Sequence, residues 1–381
     1  MTEEINVLHV ASFKGNIGDN ANHKGFKSSL AKNLTTKFNF NEFEIRQTFR
    51  SEKSFDYGFA DLCNEHDLIV FGGGNFFELW VENSSTGTSI DIPQQVFEKI
   101  NVPILFNALG VDPAQGASDS CVRKFRSFLD GVIKSKNCIL SCRNDGSKLA
   151  LKENIGEEYA KEFTTIPDAG FFNNFEQKQA TEIDSNRKNV LIQLAGDMMD
   201  VRFSSSKKNS HSPQSFIEEF VDFIIQIDKT DSLNFIFAPH IFRDLEIIHH
   251  VLDRLPDKIR RENVAVAPYL VGEKGSDYIF NIYKQCDLVL GMRFHANVCS
   301  FASKTNVIGL VNYRQIEMLY NELDLENDMV DVRFKGFKEK LNNLFDDKIN
   351  SSFKYQKKIQ ELENISSSFY KKAFNRLLPK S

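Results

Sequence analysis

The sequence predicts an α/β protein built from two doubly wound, Rossmann-like domains, and three observations carry that expectation. Short apolar runs alternate with helical-period stretches from one end of the chain to the other. Those runs are apolar throughout instead of every second residue, the pattern of strands covered on both faces in a parallel sheet. The length, 381 residues, suits two domains of roughly 150–200 residues each.

In chain order, strands are expected at 5–11, 68–71, 103–108 and 137–142, then at 189–194, 233–238, 263–267, 287–290 and 306–311. Ser212-Pro213 offers a cap and an N1 proline to a helix whose stripe is Phe216, Phe220, Val221, Ile224 and Ile225. Leu245, Ile248, Val251, Leu252 and Leu255 mark another. The polar stretch 177–188 separates an N-terminal domain, 1–180, from a C-terminal one, 181–345. Residues 346–381 read as a long charged helix able to pack back on the first domain. The polar loop 202–212 follows the first strand of the second half, where either a substrate lid or an ordinary mobile loop would sit.

Composition narrows the function. With 47 Lys+Arg against 52 Asp+Glu the formal charge is −5, so no basic field attracts nucleic acid. The 35 Phe are scattered and suit a core better than a base-stacking platform. No run approaches the roughly 18 apolar residues of a membrane helix, and the first residues lack a signal-peptide pattern. The six cysteines lack metal-site spacing and read as buried reduced thiols. A soluble cytoplasmic protein is the expectation.

Open α/β sheets bind ligands at the carboxyl ends of their strands, which selects five places. Gly15-Asn16-Ile17-Gly18-Asp19 follows the first strand and opens a helix; its spacing is neither the dinucleotide fingerprint nor a P-loop. Gly72-Gly73-Gly74-Asn75 follows the second. Ala108-Leu109-Gly110-Val111-Asp112 ends the third, with Arg143, Ser147 and Asp168 near the next ones. Pro239-His240-Ile241-Phe242-Arg243-Asp244 ends a strand of the second half. The sharpest is Gly291-Met292-Arg293-Phe294-His295, where a guanidinium, an imidazole and a helix amino end converge. That set suits a small dianion whose reaction also moves a proton. For each place a plain structural role, a turn, a cap or a salt bridge, is the alternative.

Taken together, the segments GNIGDNA, DLIVFGGGNFF, PILFNALGVDP, SCRNDGSKLAL, IPDAGFF, FAPHIFRD and GMRFHANVCSFASKTNVIGLVNY resemble the polysaccharide pyruvyl transferase family, in the family's order over roughly residues 8–313. The resemblance implies a GT-B-like fold, two domains facing a cleft. It also implies transfer of a pyruvyl group from phosphoenolpyruvate to sugar hydroxyls, as a ketal, in bacterial surface-polysaccharide assembly. Arg293 and the following helix amino end would hold the donor's anionic groups, and His295 would be the general acid/base. Phe294, Tyr313, His240 and Arg243 would complete that wall. Asn16, Gly18, Asp19, Gly73, Gly74 and Asn75 would receive the sugar, with Arg143 beside them. No metal or other cofactor is implied. The resemblance leaves room for a lipid-linked or oligosaccharide acceptor, peripheral membrane association and a homo-oligomer. Two positions depart from the family pattern: Asn144 stands where an aspartate is frequent, and Ile316 where a lysine is frequent, with Arg314 the nearest substitute charge. The competing readings are a GT-B glycosyltransferase using a nucleotide sugar and a non-catalytic carbohydrate-binding subunit.

Overall fold

The computed structural model describes residues 4–203, 209–228 and 232–378; residues 204–208 of the loop considered as a lid lie outside them. The chain divides into two compact units, one of Met1–Phe13, Asn22–Phe172 and Gln360–Ser381, the other of Lys14–Ala21 and Asn173–Ile359.

In the first unit, β1 (Glu4–Ala11), β2 (Lys37–Glu44), β3 (Leu68–Glu78), β4 (Ile104–Asp112), β5 (Cys138–Arg143) and β6 (Thr164–Ile166) form a parallel sheet in the order β2-β1-β3-β4-β5-β6. In the second, β7 (Lys188–Gln193), β8 (Leu233–Phe237), β9 (Val264–Val266), β10 (Leu288–Gly291), β11 (Asn306–Val311) and β12 (Met329–Asp331) are likewise parallel, in the order β12-β11-β10-β7-β8-β9. The strand order therefore reverses between β1 and β3 in one sheet and between β7 and β10 in the other, the places where such sheets open a ligand crevice.

The helices that matter for the site are α1 (Ile17–Asn33), α2 (Pro213–Ile227), α3 (Asp244–Arg254), α4 (Gly272–Tyr283), α5 (Phe294–Ser303) and α6 (Gln356–Leu377). Ser212 caps α2 as its sequence suggests, accepting from the Ser215 N–H.

Uninterrupted apolar strands follow from burial on both faces. In the first unit Leu8, Val10, Ile69, Phe71, Ile104 and Phe106 enter one core, while Val7, Leu68, Val70 and Leu105 enter the other, closed by Tyr370, Ala373, Phe374 and Leu377 of α6. Phenylalanines knit the larger core, with Phe71 stacked on Phe106 at 5.1 Å and Phe77 tilted against Phe125 at 4.9 Å.

Three strands escape the apolar-run reading. β2 (KFNFNEFE) alternates and stands at a sheet edge, and β6 and β12 are three-residue edge strands. The Gly72–Gly74 run is not a turn after β3 but part of it, because β3 continues to Glu78 alongside β4 in the register Gly74↔Leu109, Phe77↔Val111 and Glu78↔Asp112. All six cysteines are free and buried. Among the described residues no helix is long and apolar enough to cross a membrane.

Candidate active site

Arg293 stands where β10 leaves the second sheet, in extended conformation as the N-cap of α5. Its N–H donates to Oε1 of Gln193, the last residue of β7, at 2.7 Å, so the two strands flanking the order reversal are tied at their carboxyl ends. The guanidinium is nearly enclosed. Nε donates to Asp244 Oδ2 at 2.9 Å, and Nη2 donates to Asp244 Oδ1 and Asp197 Oδ1, both at 2.5 Å. Burial opposes the charge, but Asp244 and then Asp197 outweigh it and hold Arg293 above the ordinary arginine pKa.

Asp244 is the hub. Fully buried at the first position of α3, it also accepts backbone N–H groups from Gly196 at 3.1 Å, His240 at 2.9 Å and Ile241 at 3.1 Å. The loops after β7, β8 and β10 therefore share one carboxylate.

His295 lies in the first turn of α5, only 5% exposed. The segment carrying Asn16, Gly18 and Asp19 belongs to this same unit and meets it. A Cβ on Gly18 would stand 2.5 Å from His295 Cβ and Nδ1, so the close approach requires glycine. Asn16 Oδ1 accepts from the Gly18 N–H at 3.0 Å, shaping the turn, and Asp19 Oδ1 is 4.0 Å from His295 Nδ1.

His240 is fully buried, with Nε2 2.8 Å from the Tyr283 hydroxyl of α4. Burial, then the Arg293 and His295 charges, push its imidazole well below the ordinary histidine range, so it stays neutral at pH 7. Arg243, by contrast, exposes 69% of its side chain, 4.0 Å from Glu246. Its contribution is backbone: its carbonyl oxygen would lie 2.1 Å from a Cβ at Gly196. The Tyr313 hydroxyl accepts from the Phe294 N–H at 2.8 Å, and the Arg202 guanidinium lies 4.7 Å over its ring.

Gly73, Gly74, Asn75 and Arg143 belong to the first unit. Gly73 has φ +51° and a Cβ there would overlap Asn22 Oδ1 at 1.7 Å; one on Gly74 would strike the Phe76 ring at 2.5 Å. These glycines make room for side chains of their own unit. Asn75 Nδ2 donates to Asp112 Oδ2 at 2.9 Å. Arg143 is buried and pairs with Asp145, donating from Nε at 2.8 Å. The negative charge absent at Asn144 is thus supplied one residue later, and Asn144 Oδ1 instead accepts from the Asp168 N–H at 3.0 Å. Ile316 is fully buried against Val311 and Tyr320, a setting hostile to an unpaired ammonium. At the end of β3, Glu78 accepts from the Ser89 hydroxyl. Burial, helped by Asp112 and opposed by Ser89 and Arg46, pushes its carboxyl up from 4.5 to about 7.

Sequence reading missed Gln193, Asp197, Arg202 and Tyr283 as parts of the site. Gly196-Asp197 just beyond the β7 strand end was the signal at hand, since it mirrors the glycine-polar steps after other strands. Among the described residues no group of three or more His, Cys, Asp or Glu could hold a metal ion.

Comparisons with known proteins bear on this geometry. The family model described as polysaccharide pyruvyl transferase matches residues 12–313. No curated protein matches the chain. Among solved structures, a glycosyltransferase from Rickettsia africae is similar with a TM-score of 0.57 at 11% identity, covering 100% of each chain. The UDP-GlcNAc 2-epimerase from Methanocaldococcus jannaschii gives 0.55 at 10% identity, over 96% of this chain and 99% of the other. That from Neisseria meningitidis, bound to UDP-GlcNAc, gives 0.54 at 11%, over 97% and 100%. At such identities the likeness is one of fold: two Rossmann-like α/β domains of the GT-B class.

Proposed function

The chain belongs to the polysaccharide pyruvyl transferase family and is a transferase, and from that premise we propose that it moves a pyruvyl group from phosphoenolpyruvate onto two hydroxyls of a sugar, forming a ketal during surface-polysaccharide synthesis in the cytoplasm. The observation that carries this reading is the convergence of Arg293, His295 and the α5 amino end at the strand-order reversal of the second sheet.

The chemistry asks for two things. Phosphoenolpyruvate carries a carboxylate and a phosphate, which need fixed cationic and N–H partners; Arg293, with Arg202 close by and the helix end in front, supplies them. Protons must also move. The methylene carbon takes a proton, and the central carbon gains oxocarbenium character and accepts the first hydroxyl. Phosphate then leaves, and the second hydroxyl closes the ketal. One hydroxyl proton offsets that taken up by the methyl group, and the other departs with phosphate. His295 is the proposed carrier, an imidazole in the first turn of α5 with Nδ1 4.0 Å from Asp19 Oδ1. His240, held neutral, packs behind as a wall.

The test is incubation with phosphoenolpyruvate and a panel of pyranosides, following inorganic phosphate release and a pyruvyl mass increment on the sugar. Hydrolysis of a nucleotide sugar with no use of phosphoenolpyruvate would replace this reading with a glycosyltransferase.

A further inference from the structure

Asp197 occupies an unusual place. One carboxylate oxygen accepts from Arg293 Nη2 at 2.5 Å and the other accepts from Arg202 Nη2 at 3.0 Å, so the group bridges two guanidiniums. Arg293 already has a complete carboxylate partner in Asp244, whose two oxygens meet Nε and Nη2. For Arg293 the Asp197 contact is a second one.

The burial of the four side chains is uneven. Asp244 is 0% exposed, Arg293 9% and Arg202 10%, whereas Asp197 is 27% exposed. The two cations and Asp244 are built into the protein, and Asp197 covers them from the solvent side. Arg202 is fixed independently, with its guanidinium over the Tyr313 ring and burial and Arg293 lowering its pKa while Asp197 raises it. Two guanidiniums and Asp244 alone carry a net charge of +1; with Asp197 the sum is zero. A neutral site has little attraction for a trianionic donor, and a carboxylate at its mouth repels one.

We propose that Asp197 is an internal stand-in for the donor's oxyanion: it bridges Arg202 and Arg293 and is displaced when a phosphate or carboxylate of the donor takes the same bridge. This rests on the reading of the site as a phosphoenolpyruvate pocket. The geometry suits the exchange, because a carboxylate and two phosphoryl oxygens offer guanidinium forks the same pair of acceptors. Asp197 also sits on a short loop between Gly196 and Met198, the latter at φ +53°, so its side chain can turn outward without moving β7. The stand-in keeps two buried cations paired when no donor is present, which avoids leaving them uncompensated.

The experiment is calorimetric titration of phosphoenolpyruvate, inorganic phosphate and pyruvate into wild type, Asp197→Asn and Arg202→Gln, each checked for a cooperative thermal transition. Asp197→Asn keeps the shape and removes the competitor, so it should bind phosphoenolpyruvate about tenfold tighter, a shift of about 1.4 kcal/mol, and Arg202→Gln should bind it more weakly than wild type. A matching gain for phosphate or for pyruvate tells which end of the donor takes the bridge. Wild type that binds phosphoenolpyruvate, with unchanged or weaker binding in Asp197→Asn, overturns the stand-in and leaves the proposed function standing. Phosphate affinity raised by Asp197→Asn, with no phosphoenolpyruvate binding in any variant, upholds the anion bridge and overturns the donor assignment.

Discussion

Arg293 and Asp244 form a two-pronged ion pair, with Nε 2.9 Å from Oδ2 and Nη2 2.5 Å from Oδ1, between the N-cap of one helix and the first residue of another. The pair is buried on both sides, so its value lies in orientation more than in net stability. Replacing Asp244 by Asn leaves Arg293 without its main counter-charge and puts an amide where backbone N–H groups need an acceptor. We expect Asp244→Asn to cost about 3–5 kcal/mol in urea denaturation. In the part that remains folded, we expect weaker phosphoenolpyruvate binding. Unfolding free energy within about 1 kcal/mol of wild type would show that the hub is dispensable.

Gly18 is a second point of leverage, because it touches His295 with no space for a Cβ. Gly18→Ala should push the imidazole or the start of α1 aside, at an overpacking cost of about 1–3 kcal/mol. Transfer should fall much further than this destabilisation explains, since reacting groups misplaced by an ångström can lose about 10²-fold in rate. Comparing turnover with Tm in the same variant checks it; normal turnover would mean that the helix start can yield without disturbing the histidine.

Glu78 gives a pH signature. Its folded pKa, about 7 against 4.5, is raised, so between these values the folded protein keeps a proton that the unfolded chain has lost. Stability should therefore fall as pH rises from 4.5 through 7. Glu78→Gln removes that loss and, relative to wild type, should gain up to about 3 kcal/mol between pH 5 and pH 8. Denaturation curves for both proteins at the two pH values measure it, and an equal difference at both would refute the shift.

For Arg293→Lys, a point charge replaces a fork that meets Asp244 in two parallel bonds. Donor affinity should drop about tenfold or more, read as a rise in KM for phosphoenolpyruvate. An unchanged KM would argue that the guanidinium is purely structural.

The sequence carried the strand-end polar residues because each follows an apolar run: Arg293 and His295 after β10, His240 after β8, Gly18 after β1. What it did not carry is pairing across distant segments. Asp197 and Arg293 are 96 positions apart and meet only because β7 and β10 are neighbours. The approach of Gly18 to His295 joins residues 277 positions apart, and only a glycine without a Cβ hinted at it. Arg143 illustrates the reverse case. The expected acidic partner is absent at Asn144, and the next residue, Asp145, takes its place once the chain turns. Alternation hid β2, whose mixed polar and apolar residues follow the pattern of a sheet edge and not that of an uninterrupted apolar run.

The central claim is that His295 moves the proton while Arg293 grips the donor. It is tested most directly by His295→Ala, with phosphoenolpyruvate binding and pyruvyl transfer measured on the same folded sample. The account predicts donor binding close to wild type with transfer reduced about 10²–10⁴-fold; transfer near the wild-type rate would contradict it.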